Sequence, residues 1–180
     1  GYTIPLDLGT EGVVEMQIAA FDEDVSHVTL VSKGLLATTH RMNASNTSTG
    51  GWADAEMRTY LADTVLPLVP SYVSEAIVPI KKYSYDSAGS ENSETTDSLW
   101  IPSAQEVGFT SGNLETSGVA YSGLFTNDAS RKKYDQSSAA SYWWLRSVNS
   151  EGYFRAVNTT GGVANTSASA ARGVALGFSL

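Results

Sequence analysis

Residues 142–158 read YWWLRSVNSEGYFRAVN. Alternation sends Trp143 and Leu145 to one side of a strand and Tyr142, Trp144 and Arg146 to the other. Both sides carry large groups, which predicts a central strand covered on both faces rather than an edge. After Ser147 the character changes. Residues 148–172, VNSEGYFRAVNTTGGVANTSASAAR, are small and mixed, with no clean period of two or 3.6. A rigid strand therefore runs into a segment whose composition obeys no packing rule.

Beyond that segment the chain ends in GVALGFSL (173–180). Val174, Leu176, Phe178 and Leu180 share one face, and Gly173, Ala175 and Gly177 the other. Residues this small admit close approach of another element.

Upstream, Val14, Met16, Ile18 and Ala20 alternate with Glu15, Gln17 and Ala19, the pattern of a half-buried strand facing inward at the even positions. FDED (21–24) marks a turn, and VTLVSKGLLATTH (28–40) holds one or two short strands. MNASNTSTGG (42–51) is a polar loop. In GWADAEMRTYLADTVLPLV (51–69), Met57, Tyr60, Leu61, Val65 and Leu68 recur every three or four residues, so one helical face is apolar. Pro67 and Pro70 end that helix near Leu66. Ser71 is placed as the N-cap of a second short helix through Ile77, stopped by Pro79. SYDSAGSENSETTDS (84–98) and residues 110–123 read as loops. LWIPS (99–103) is a short strand broken at Pro102, and RKKYDQSSAAS (131–141) leads into the central strand. The expected class is α+β with a mainly antiparallel sheet, one domain over 1–180.

Composition removes several functions. The 180 residues include no cysteine, which excludes disulfides, thiolate zinc sites and cysteine nucleophiles. The net charge of −8 argues against nucleic-acid or anionic-membrane partners. No apolar run approaches a membrane span, so no membrane insertion is expected. GYTIPLDLGT (1–10) lacks the basic region and apolar core of a signal peptide.

Catalytic constellations are missing too. The two histidines, His27 and His40, sit in no metal-ligand spacing. Asp22 and Asp24 lack the spacing and later glutamate of a calcium loop and read as a solvated turn. Ser103 in IPSAQE has no flanking nucleophile-elbow glycines and fits a capping box with Glu106. No catalytic residue, metal or cofactor is assigned. Arg146 stands out: on a covered strand its guanidinium must be hydrogen-bonded, either tying strand to loop or touching a ligand.

Six stretches, in order, resemble a known family: ATTHRMN (37–43), GGWADAEMRTYL (50–61), LWIPSAQEVGF (99–109), RKKY (131–134), YWWLRS (142–147) and GVALGFSL. The set is similar to bacterial and prophage DUF6273-type domains. That resemblance implies a C-type lectin-like, formylglycine-generating-enzyme-like fold, with two helices on small antiparallel sheets and long irregular loops. It is similar above all to the variable proteins of diversity-generating retroelements. Formylglycine-generating activity depends on cysteines and does not carry over, and the calcium-lectin signatures EPN, QPD and WND are absent.

In the resembled proteins, error-prone copying at adenines rewrites the end of the gene. Codons of the AAC type then reach every residue kind in 148–172 except Glu151. The resemblance thus implies a variable region over 142–180, framed by WWLRS and GVALGFSL. Val157, Gly161 and Val163 match framework positions, with Val157 and Val163 expected inward around a strand and turn. The expected exposed, ligand-binding set is Val148, Asn149, Ser150, Glu151, Tyr153, Phe154, Asn158, Thr159, Thr160, Gly162, Ala164, Asn165, Ser167, Ser169, Ala171 and Arg172. Tyr153 and Phe154 are its anchors, because aromatic residues carry much interface energy.

The implied function is non-enzymatic recognition of a protein or glycan on another cell, displayed on a phage tail or bacterial surface. The alternatives are a fixed structural domain of a larger surface or tail protein, with 148–172 a surface hairpin without a ligand, and an enzyme of the related fold. Sequence does not set the oligomeric state.

Overall fold

The computed structural model describes residues 2–21, 26–85, 92–110 and 118–180. The FDED aspartates Asp22 and Asp24 and residues 111–117 of the 110–123 loop lie outside them. In chain order the strands are β1 (Thr3–Asp7), β2 (Val13–Phe21), β3 (Val28–Ser32), β4 (Ile80–Tyr85), β5 (Asn92–Asp97), β6 (Lys133–Tyr134), β7 (Ala140–Ser141), β8 (Trp143–Ser150), β9 (Tyr153–Val157), β10 (Val163–Ser167) and β11 (Gly177–Ser179). The α-helices are short: α1 (Glu56–Tyr60), α2 (Ser71–Ser74) and α3 (Asp128–Arg131). The result is a mixed α+β arrangement of several small antiparallel sheets and few helices. No described helix is long and apolar enough to cross a membrane.

The largest sheet has the order β1-β2-β3-β11, and a second has the order β10-β9-β8. In β2, Val14 and Met16 point inward as expected. A bulge between Ile18 and Ala20 then shifts the register against β3. One extra residue reverses which parity faces the core. Ala19 is buried instead, and Ile18 is 47% exposed.

Helix α1 keeps the expected spacing, with Met57, Leu61 and Val65 fully buried. Pro67 cannot donate a backbone hydrogen bond. The helix leaves α geometry before it, as a π turn over Leu61–Val65 and a 3-10 turn over Leu66–Leu68. Ser71 is not an N-cap: Pro70 holds that position, and α2 stops at Ser74. The polar stretch 84–98 also departs from expectation. Its second half is β5, paired in register with β4 from Ile80↔Asp97 to Tyr85↔Asn92. Ser and Thr are compatible with a strand when the partner strand supplies the ladder.

β8 is covered on both faces, with Trp143 to Val148 all buried, yet it is not a central strand. It is the end strand of its sheet. Its free edge is closed by single contacts instead: Trp144 N–H donates to Gly173 O, and Arg146 N–H to Pro102 O, each at 3.0 Å. Irregular chain does there what a neighbouring strand would do.

β11 packs as its small residues suggest. Trp100 bridges Gly177, and a Cβ on Gly177 would lie 2.3 Å from the Trp100 ring. Trp52, Trp100, Trp143, Trp144 and Phe154 are among the largest fully buried side chains of the hydrophobic core. Three of the indoles spend their N–H on Asp97 Oδ2, Arg131 O and His40 O.

Candidate functional site

The segment 148–172 is more regular than its composition suggests. It completes β8, turns at Glu151 and Gly152, runs out along β9 and returns along β10. Residues paired across strands share a face. Val148 pairs with Phe154, Trp144 with Ala156, and Phe154 with Thr166. That face is the inner one. Phe154 meets Trp144 edge-on with ring centroids 6.5 Å apart.

Two members of the expected ligand-facing set are therefore misplaced. Val148 is 1% exposed and Phe154 0%. Strand periodicity and register turn both toward Trp144, so Phe154 is a core residue and not an anchor. Val157 is fully buried as expected, but Val163 is 41% exposed, because β10 is the end strand of its sheet.

The rest of the set reaches the surface. Glu151, Tyr153, Thr159, Thr160, Asn165, Ser169 and Ala171 are exposed, and Asn149, Ser150, Asn158, Gly162, Ala164, Ser167 and Arg172 half-buried. They divide between the two ends of the hairpin. Ser150, Tyr153 and Ser167 line up across the three strands, and Ser169 reaches Ser167 at 3.1 Å. Roughly 13 Å along β9, at about 3.3 Å per residue, Thr159, Ala171 and Arg172 line a cleft. Thr39, Ala140, Ser141, Tyr142 and Gly173 complete it, and its volume is about 300 Å³.

The hairpin is held from below. Ser48 Oγ donates to Ser150 O (3.0 Å) and accepts from Gly152 N–H (3.1 Å). Asn46 Oδ1 accepts from Ser167 Oγ (2.6 Å) and Ala168 N–H (3.1 Å). At the β9–β10 turn, Gly161 has φ +92°, and a Cβ there would fall 1.7 Å from the Asp128 carbonyl oxygen. Only glycine satisfies both conditions. Asn158 shapes the same turn: its Oδ1 accepts from Thr160 N–H, Thr160 Oγ1 and Gly162 N–H. Asn158→Ala is expected to lower the unfolding free energy by about 1 kcal/mol, measured by urea denaturation. Its role is in holding the turn rather than in offering a free amide.

A second polar cluster lies under the strand. Glu106 and Ser103 make the expected capping box: Ser103 N–H donates to Glu106 Oε2 (2.9 Å) and Glu106 N–H to Ser103 Oγ (3.1 Å). The carboxylate also receives Arg146 Nη1 (2.5 Å), Arg146 Nη2 (3.0 Å) and Lys82 Nζ (2.8 Å). Arg146 further donates to Tyr83 O and Ile101 O. This is the strand-to-loop tie, one of the two roles open to Arg146 from sequence. Burial alone would push the Glu106 carboxyl up, but the two cations outweigh it and hold the group below the usual carboxylate range. Burial draws Lys82 down to about 8, with Glu106 opposing and Arg146 reinforcing.

A cavity of about 490 Å³ opens above this cluster, walled by Phe21, Ile80 and Val119 among others. The Lys82 ammonium is already spent on Glu106, on Tyr121 Oη (3.1 Å) and on the Trp100 ring face (3.5 Å). The cluster fastens β4 to β8 at the floor of that cavity.

Lys133 is buried with no carboxylate partner among the described residues, donating to Ser32 O and Lys33 O, and burial lowers its pKa to about 7. Between about pH 7 and the ordinary lysine value of about 10.4, the unfolded chain binds the extra proton. Stability therefore rises with pH in that window. Tyr60 and Tyr121 have raised pKa values, chiefly by burial, and reverse the trend above about pH 10. Urea unfolding at pH 6.5, 8 and 9.5 is expected to show the rise, with a smaller slope in Lys133→Met. A flat profile in both proteins contradicts it.

Sequence reasoning missed Thr39, Ser141 and Tyr142 in the cleft, and Asn46 and Ser48 beneath the hairpin. They come from distant parts of the chain, and no local pattern joins them.

Among family models, one described as "Domain of unknown function (DUF6273)" matches residues 26–180, so β1 and β2 precede the matched region. No curated protein and no solved structure matches the chain.

Proposed function

The chain belongs to the DUF6273 family, and on that premise we propose that it is a non-enzymatic binding module whose C-terminal hairpin recognises a target. The observation that carries this reading is the division of labour within 148–172. Phe154, Ala156, Val157, Gly161 and Thr166 are buried and hold the hairpin, while Tyr153, Thr159, Thr160, Asn165 and Ser169 are exposed. Surface changes at such positions usually alter stability by no more than about 0.5 kcal/mol. A rigid support under freely exchangeable side chains suits a recognition surface.

The finer reading is a C-type lectin-like fold, diversified at 142–180 by a retroelement and displayed on a phage tail or bacterial surface. Its partner is a protein or glycan on another cell. The test is to sequence the DNA flanking the gene. The expected result is a near-copy of the segment encoding 142–180, differing only at adenines, beside a reverse-transcriptase gene. Its adenine-bearing codons should match Tyr153, Asn165 and their exposed neighbours and spare Phe154, Val157 and Gly161. Absence of both copy and reverse transcriptase overturns diversification and leaves a fixed domain.

A further inference from the structure

We propose that the cleft between Arg172 and Tyr142 is a subsite for a sugar bearing a carboxylate, of the uronic-acid class. The proposal rests on the hairpin being the recognition surface and names the chemistry of one end of it. The first observation is an unclaimed cation. The Arg172 guanidinium lies over the Tyr142 ring at 5.2 Å. Among the described residues the guanidinium makes one hydrogen bond, a long one from Nη1 to Ala171 O at 3.4 Å, and Nε has no partner. Among the described residues no carboxylate pairs with it, in a protein whose net charge is −8. The other described arginines each meet a carboxylate or have interactions of their own.

The second observation is rigidity. Arg172 and His40 exchange both backbone hydrogen bonds, at 2.9 and 3.0 Å. Tyr142 O accepts from Gly173 N–H at 2.9 Å. The backbones that carry the cation and the ring are thus held in place before any ligand arrives, which lowers the entropy cost of binding.

The third observation is the lining. Thr39, Ser141, Tyr142 and Thr159 bring hydroxyls, while Ala140, Ala171 and Gly173 leave room. The hydroxyls of Thr39 and Thr159 are engaged by no other described residue. A guanidinium pairs with a carboxylate through two parallel hydrogen bonds, and the surrounding hydroxyls suit a hydroxylated ring. An aspartate or glutamate side chain would use the cation and leave the hydroxyls unmatched. A volume of about 300 Å³ is at the small end for ligand sites, the scale of one sugar residue.

The experiment is an amide NMR titration of the protein with sodium glucuronate, glucose and N-acetylglutamate. Glucuronate is expected to give saturable shifts at Thr159, Arg172 and Tyr142, at least tenfold tighter than either comparison compound. Arg172→Gln should weaken glucuronate at least tenfold, and Tyr72→Ala, at an exposed position of α2 outside the hairpin and the cleft lining, should leave it unchanged. A dispersed Arg172→Gln spectrum shows that this variant is folded. No saturable shift, or glucose binding equally well, overturns the proposal. N-acetylglutamate binding equally well also overturns it, in favour of an acidic protein side chain. The two readings fail separately: a template copy beside the gene without glucuronate binding removes only the ligand class.

Discussion

Glu106→Ala is expected to lower the unfolding free energy by about 3–5 kcal/mol, a large part of the stability of a domain this size. The carboxylate is 3% exposed, and it joins Lys82 on β4 to Arg146 on β8 while capping the turn after LWIPS. Removing it leaves two buried cations facing each other and frees the Ser103 amide. The converse change separates the cost of breaking the cluster from its net worth. Replacing Lys82, Glu106 and Arg146 together by apolar residues of similar volume is expected to recover most of the loss, because it also removes their desolvation penalty. Urea unfolding of the single and triple variants checks both. A Glu106→Ala loss below about 1 kcal/mol, the range of an exposed pair, contradicts this account.

Phe154→Ala and Tyr153→Ala form the second test, on adjacent residues that sequence treats alike. Phe154→Ala is expected to cost about 3–5 kcal/mol, as for other buried phenylalanines. It removes the ring packed edge-on against Trp144 and opens a void between the inner face of the hairpin and the core. Tyr153 is 41% exposed, and its truncation should change stability by no more than about 0.5 kcal/mol. Thermal unfolding distinguishes them at once. Equal effects would mean that the hairpin lacks the division between support and surface on which the binding reading stands. If Tyr153→Ala abolishes binding to a demonstrated target while Phe154→Ala chiefly unfolds the protein, the assignment is strengthened.

Much of the frame was legible in the sequence. WWLRS, GVALGFSL and the Met57–Leu61–Val65 stripe each announce burial through a period that belongs to one element. The capping box at Ser103 and Glu106 is readable because both partners lie three residues apart. Three of the errors share a cause. The bulge at Ile18–Ala20, the pairing of 92–97 and the inward turn of Val148 and Phe154 all depend on register with another strand. Register is a property of pairs of segments, and one segment does not contain it. The hairpin's small residues hid its order for the same reason: Ala156 and Thr166 qualify as core only because Trp144, Phe154 and Val148 arrive beside them.

The sequence by itself determined the α+β class, the absence of cysteine chemistry and the buried strand. Those follow from residue type and from spacings within a single element. Tertiary structure alone decided which residues of 148–172 face outward. It also closed the edge of β8 with Gly173 and Pro102 rather than a strand, and it brought Thr39, Ser141 and Tyr142 beside Arg172. Contacts between distant segments cost loop-closure entropy and are repaid only in the assembled core, so local sequence carries no trace of them.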